Sequence, residues 1–394
     1  MTIRITYLAT VIIAFLLLII GNKIAAVGTI DFQNPSQEIV RAKVQKVIER
    51  VENNFDNFND FEDFADYDDF NYFDEFDGLP PMLQNNRIIF EARITHGLRK
   101  GEIVTASQSS MVLLPANDRD VFKNASILLI RSHNEWYFNG FYRINGIIWL
   151  GVLFVLCVLI LGGRKGVNTI LSLGLTCAAI FTVFIPAILA GKNIYLMAVL
   201  VCIYTTVMTL LIVIGFNKKS LVSVAGCVSG ILAAGIIAVI MDRVLNLTGI
   251  IDEHSRYLIN MPGGIKLNLR ALIFAGIIIG AMGAIMDVAI SIASSLWEIK
   301  EKAKLISFKS LFHSGLNIGR DIMGSMANTL ILAYIGSSLS VVLLLSVFSG
   351  STLNLFNSEM IAVEILQALA GSFGILSAMP LTAFFCSVLY LKEK

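Results

Sequence analysis

Long apolar runs separated by short polar breaks make up most of the chain, and one stretch near its start departs from that pattern. Apolar residues dominate 7–20 and then 144–161, 167–190, 194–215, 220–241, 270–297, 322–349 and 361–391. Each of the last seven runs is long enough for a helix to cross a hydrocarbon core of about 30 Å. The first reaches a spanning length when it is carried through Lys23 to Val27. The pattern therefore predicts about eight transmembrane helices. The N-terminal run, residues 1–27, follows Arg4 and reads as an uncleaved anchor or as a signal-like segment, with Ala25 and Ala26 near a cleavage region.

Between 28 and 143 the periodicity shortens. Runs with β character at 38–44, 87–94, 102–106 and 127–130 predict a small β-rich domain, and Gly97 and Gly101 supply a tight turn between two of its strands. Inside it lies an insert, 52–77, with Phe or Tyr at every third position and eleven acids but no Lys or Arg. A period of three matches neither helix nor strand, so the insert reads as a disordered acidic loop. Trp136, Tyr137, Phe138, Phe141 and Tyr142 then crowd before the first long run, as aromatics do where a chain enters the headgroup region.

Composition agrees with the pattern: 56% of residues are hydrophobic and mean hydropathy is +0.75, which requires a lipid bilayer as solvent. A net charge of +1 excludes the basic balance of a nucleic-acid-binding protein. The five cysteines fall within apolar runs, and no disulfide framework, metal-ligand spacing or cofactor motif occurs. If the spans alternate, Arg4, Arg164, Lys165, Lys218, Lys219, Lys300, Lys302, Lys304, Lys309, Arg320, Lys392 and Lys394 share one side, against five basic residues in the opposite short loops. The positive-inside rule makes the richer side cytoplasmic, so both termini are cytoplasmic and residues 28–143 are extracytoplasmic.

Charge within the apolar runs singles out 276–328. Gly276, Gly280, Gly283, Asp287, Ser291, Ser294 and Glu298 follow one another by threes and fours and so share one helix face. Asn317, Asp321, Gly324 and Asn328 repeat the pattern on the next helix. An isolated carboxylate in hydrocarbon costs at least roughly 2.5–3.5 kcal/mol, so Asp287 needs a partner or a watery cavity, and Arg320 is the expected partner. Asp287, Ser291, Arg320, Asp321 and Asn328 are the candidate intramembrane polar site. Gly276, Gly280, Gly283, Gly324, Gly371, Gly374 and Pro380 are the candidate packing or hinge positions, the last four as places where long helices break.

GAMGAIMDVAISIASSLWEI from Gly280, SGLNIGRDIMGSMANTLILAYIGSSL from Ser314, LGGRKG at Leu161, FIPAILAGKN at Phe184 and GFNKKS at Gly215 resemble the YibE/F-like family of bacterial multipass membrane proteins. The resemblance runs from about Asn139 to the C-terminus and implies a membrane domain of about seven helices over 144–394 in a bacterial plasma membrane. It also implies a polar core of Asp287, Glu298, Arg320, Asp321, Asn328 and Thr329. It implies no catalytic activity and no particular substrate.

The sequence thus predicts an α-helical polytopic membrane protein with a small extracytoplasmic β-rich domain. Its function is read as a transporter or permease component for a small solute or ion. The alternative is a non-transporting scaffold or sensor whose β domain binds a partner. A second membrane subunit or a homo-oligomer is the protein partner that small-residue faces suggest. The histidines, His96, His133, His254 and His313, lie outside the predicted spans, and no HExxH or GxSxG element occurs, so no enzyme is expected.

Overall fold

The structure, a computed structural model, describes residues 2–25, 38–54, 84–97, 99–112, 120–132, 135–259, 267–303, 306–348 and 351–391. The disordered reading of the acidic insert falls at 55–77, outside the described residues. The chain divides into two compact units, one of residues 32–154 and one of 1–31 with 155–394.

The first unit is a closed five-stranded barrel, β1 (Glu38–Asn54), β2 (Gln84–Ile94), β3 (Ile103–Val112), β4 (Ser126–Ser132) and β5 (Glu135–Phe141), in the order β1-β2-β3-β5-β4. All neighbours are antiparallel except β3 and β5, which pair in parallel through Ala106–Trp136 and Ser107–Tyr137. This is the strand order of OB-type Greek-key barrels. Alternation fills the interior: Ile88, Phe90, Ala92 and Ile94 of β2 face Val40, Ala42 and Val44 of β1 and Ile127 and Leu129 of β4. The turn expected at Gly97 and Gly101 joins β2 to β3, with φ of 99° and 97° there, a region glycine enters without steric cost. Two readings need correction. Residues 52–54, assigned to the insert, extend β1 and pair with Asn86, Asn85 and Gln84. The aromatic cluster belongs to the barrel, because β5 carries it: Trp136 is buried in the interior with Phe138 and Phe141 packed beside it. A run of aromatics fits a half-buried strand as well as a membrane interface, and here the antiparallel pairing to β4 and the parallel pairing to β3 decided for the strand.

The second unit is helical. Its elements are α1 (Thr2–Ala25), α2 (Ile144–Ala179, shared with the first unit), a π turn (Ile180–Phe184), α3 (Ile185–Leu189), α4 (Ile194–Ile214), α5 (Lys218–Val244), α6 (Glu253–Ile259), α7 (Leu269–Lys302), α8 (Phe308–Ser337), α9 (Leu339–Phe348), α10 (Thr352–Asn357) and α11 (Glu359–Leu391). Among the described residues six helices are long and apolar enough to cross a membrane, or seven if the bent pair α8–α9 counts as one span. The 46-residue run 144–189 counts once in that tally, yet its helix breaks at Gly163, where φ is 52° and ψ −127°. Past the break, Gly166 lies against the backbone of Val158 and Leu159, which eight residues of straight helix would hold about 12 Å away, so the chain doubles back within LGGRKG.

Two further expectations change. The basic segment placed in a loop is largely helical: Lys300 and Lys302 end α7, Ser307 caps α8 by accepting from Ser310 N, and Lys309, His313 and Arg320 already stand on α8. The amphipathic spacing of Leu311, Gly315 and Gly319 carries the helix this far toward its N-terminus. The breaks expected at Gly324, Gly371, Gly374 and Pro380 do not occur. Helices α8 and α11 run through these residues, and the 59° bend falls at Ser338. Two of these glycines serve close packing instead: a Cβ on Gly371 would meet Leu330 and Ala281, and one on Gly374 would meet Ile285, Ala234 and the carbonyl of Gly230.

Candidate intramembrane polar site

Helix α7 starts where Asn268 accepts from Ala271 N, and it is enclosed by α4, α5, α8 and α11. The enclosed faces are apolar: Ile277, Ala281, Ile285, Val288, Ile292 and Leu296 are fully buried. The remaining face is the small and polar one read from the sequence. Gly276, Gly280, Gly283, Asp287 and Glu298 are exposed, and Ser291 and Ser294 are half-buried. No atom lies within 4 Å of where a Cβ would stand on Gly276 or Gly283, so these glycines open space along the helix rather than seat a neighbour.

Helix α8 packs through Leu311, Gly315, Gly319 and Leu330. Gly315 sits against Leu296 and Ala383, and Gly319 against Ile292 and Met379, so α8 runs antiparallel to α7. That register brings Arg320 level with Ser291, about one helical turn from Asp287. Asn317, Arg320, Asp321, Gly324, Asn328 and Thr329 are all exposed. The expected Asp287–Arg320 pair is nonetheless absent: among the described residues neither they nor Asp321 enters an ion pair within 4.0 Å. Arg320 Nη1 donates to Asn317 Oδ1 at 3.4 Å on its own helix. The seam between α7 and α8 is filled by Gly319, Ile292, Gly315 and Leu296, which leaves both charged side chains on faces turned away from it.

Other polar groups reach this region from helices that the sequence reading left out. Asp287 lies within electrostatic reach of Cys227 on α5, and Cys227 Sγ is 3.6 Å from Thr206 Oγ1 on α4. The neighbouring Thr205 hydroxyl turns to Met282 Sδ on α7 at 3.0 Å. Tyr334 of α8 places its hydroxyl against Gly280. Glu364 of α11, a lone acid inside an apolar run, was visible in the sequence, but nothing in its spacing tied it to Tyr334.

Among the described residues no three His, Cys, Asp or Glu side chains converge to hold a metal ion. In the segment between α5 and α7, Asp252 beside His254 is engaged locally, accepting from both N and Oγ of Ser255 at 2.8 and 2.7 Å. The Ser255 hydroxyl holds the Asp252 carboxyl below the usual carboxylate range.

A model of the YibE/F-like protein family matches residues 150–392, more than half of the chain. The chain belongs to the YibE/F-like family. No curated protein and no solved structure matches it. The YibE/F-like region holds all of α7, α8 and α11, and therefore every residue of the polar strip, while the five barrel strands precede it.

Proposed function

We propose that this YibE/F-like protein is a component of a membrane transporter or permease, with the strip on α7 and α8 as its path for a small solute or ion. The observation that carries this reading is the one uncovered face of α7. Four helices bury the rest of α7, yet the face holding Gly276, Gly283 and Asp287 stays open, and among the described residues no basic group forms an ion pair with Asp287. A carboxylate at such depth is costly against lipid, and helices retain one where it meets water, a solute or a proton. A second membrane subunit or a second copy of the chain would seat along the same strip and close it to lipid.

The topology that goes with this reading has eight spans. The break at Gly163 supports counting 144–189 as two spans, and the α8–α9 pair as one. The packing of α1 against the π turn and α4, including Tyr204 OH donating to Ala14 O at 2.9 Å, supports its retention as the first span. Both termini then lie in the cytoplasm of a bacterial cell and the barrel outside. Reporter fusions after Lys394 and within 55–77 should report opposite sides, and the same side at both would refute the eight-span topology.

Transport is tested in proteoliposomes across a panel of ions and small solutes. Asp287→Asn should fold as the wild type does and lose flux, and full flux in Asp287→Asn would overturn the reading. The barrel supports a second reading, a scaffold or sensor, because OB-type barrels present β2 and β3 as a binding face for extended ligands. Loss of function on barrel-face substitution, with Asp287→Asn silent, would favour it.

A further inference from the structure

Three buried side-chain oxygens lack a hydrogen-bond partner among the described residues: Ser223 Oγ, Tyr334 OH and Glu364 Oε2. Two of them belong together. Gly371 is packed by Leu330 of α8 and by Ala281 of α7. Tyr334 stands one turn beyond Leu330, and Glu364 two turns before Gly371, so the two side chains occupy one end of the α7–α8–α11 junction. Tyr334 lies within electrostatic reach of the Glu364 carboxylate, although the two share no hydrogen bond. Gly280 of α7 forms the floor: its missing side chain is what leaves room for the Tyr334 hydroxyl.

Among the described residues no basic side chain forms an ion pair with this carboxylate. No Lys or Arg occurs between Arg320 and Lys392, which covers the rest of α8 and all of α9, α10 and α11. None occurs between Arg270 and Lys300, which covers α7 along its membrane length. Arg243 and Arg270 stand at the ends of α5 and α7, and neither forms an ion pair with Glu364. The other acids on the packed helices, Asp242 of α5, Asp287, Glu298 and Glu301 of α7, Asp321 of α8 and Glu359 of α11, add only negative charge, and Glu359 is itself satisfied by the backbone N–H groups of Thr248 and Gly249 at 2.7 and 2.6 Å. A buried carboxylate oxygen without a hydrogen bond is costly, and a small positive occupant between the helices, with the nearby phenol oxygen as a further polar contact, would remove that cost.

We propose that Tyr334 and Glu364 form a binding site for a small monovalent cation, Na⁺ or a proton, at the α8–α11 contact above Gly280. Glu364 supplies the charge and Tyr334 a neutral oxygen that orients the occupant. The site touches the Asp287 strip at Gly280 but shares none of its charged side chains, and it stands whether or not the protein transports a solute.

The test uses the full-length protein in lipid nanodiscs, with folding checked by size-exclusion chromatography and circular dichroism. For Na⁺, the wild type should retain ²²Na⁺ saturably and melt at higher temperature in NaCl than in choline chloride. Glu364→Gln should abolish both effects, and Tyr334→Phe should weaken retention by roughly three- to tenfold through the loss of one polar contact. Glu364→Gln should cause the same loss when made in the Asp287→Asn background, where the proposed path carries no charge, which separates this site from that path. For a proton, Na⁺ has no effect, and the infrared band of a protonated carboxylic acid appears on acidification in the wild type and is missing in Glu364→Gln. ²²Na⁺ retention that persists in Glu364→Gln, or a folded wild type that shows neither signal, overturns the proposal.

Discussion

The barrel and the helical body treat charge in opposite ways. In the barrel, Arg50 meets Asp120 at 3.0 Å, Arg99 meets Glu38 at 3.3 Å, and Arg131 meets Glu38 at 3.7 Å, all with substantial solvent exposure. Pairs of this kind contribute between nothing and about 1 kcal/mol each, because water already solvates both partners. In the helical body, Asp287, Arg320, Asp321 and Glu364 form no ion pair among the described residues, although they stand among apolar helices where an ion pair would relieve a much larger cost. Charge is thus paired where pairing matters little and left unpaired where it matters most. Side chains selected only for folding would show the reverse arrangement, which is why the unpaired set is read as a site.

That contrast can be broken by experiment, beginning with the largest effect. Phe90→Ala in the barrel should cost about 3–5 kcal/mol, because Phe90 is fully buried and the closed sheet around it cannot collapse to fill the space. Denaturant unfolding of the full-length protein, followed by barrel-specific protease cleavage, measures it. In the helical body the equivalent loss comes from adding atoms. Gly230→Val should destabilise by about 1–3 kcal/mol or more, since even a Cβ there would meet Ile285, Ala378 and the carbonyl of Gly374 at under 3.0 Å. By contrast, Gly283→Ala faces open space on the polar strip and should gain about 0.5–1 kcal/mol from helix propensity alone. A large loss at Gly283 would mean that another chain already fills the strip.

The next effect concerns the charges directly. Because Asp287 and Arg320 share no ion pair, Asp287→Asn and Arg320→Gln should each leave thermal stability within about 0.5 kcal/mol of wild type. Breaking a buried pair would instead cost about 3–5 kcal/mol, so the size of the loss decides between the two arrangements. Asp120→Asn in the barrel should also cost under about 1 kcal/mol, and screening by salt should erase the difference.

The smallest effect is a pH dependence at Asp252. Its carboxyl is held below its ordinary value by the Ser255 hydroxyl, so the folded protein binds that proton less readily than the unfolded chain does. The stabilisation is therefore fully present above the ordinary carboxylate range and fades as pH falls through that range toward the depressed folded value. Ser255→Ala should flatten this part of the stability profile without changing stability at acidic pH. The group is largely solvated, so the change tests direction more than size.

Much of this was legible in the sequence, for reasons particular to each region. The α7 strip was legible as one face, because a period of 3.6 places Gly276, Gly280, Gly283 and Asp287 together whatever packs around them. The Gly97–Gly101 turn followed from glycine chemistry, and the first four strands from their alternation, since both signals are local. The fifth strand was not legible. Aromatics crowd both strands and membrane interfaces, and only the pairing of this segment with β4 and β3 separates the two.

Glycine shows the boundary between local and tertiary information most clearly. In sequence, Gly276, Gly283, Gly374 and Gly230 are alike: each is a small residue inside an apolar run. Two of them face open space, and the other two bring the backbones of α5 and α11 into contact. The sequence by itself determined which residues share a helix face, which segments seek lipid, and where charge enters the apolar runs, because these follow from helix period and transfer free energy. Only the tertiary structure decided which faces are covered, that Asp287 and Arg320 form no ion pair, and that Glu364 comes within electrostatic reach of Tyr334. Contacts between helices far apart in the chain depend on the register of packing, and no local period encodes that register.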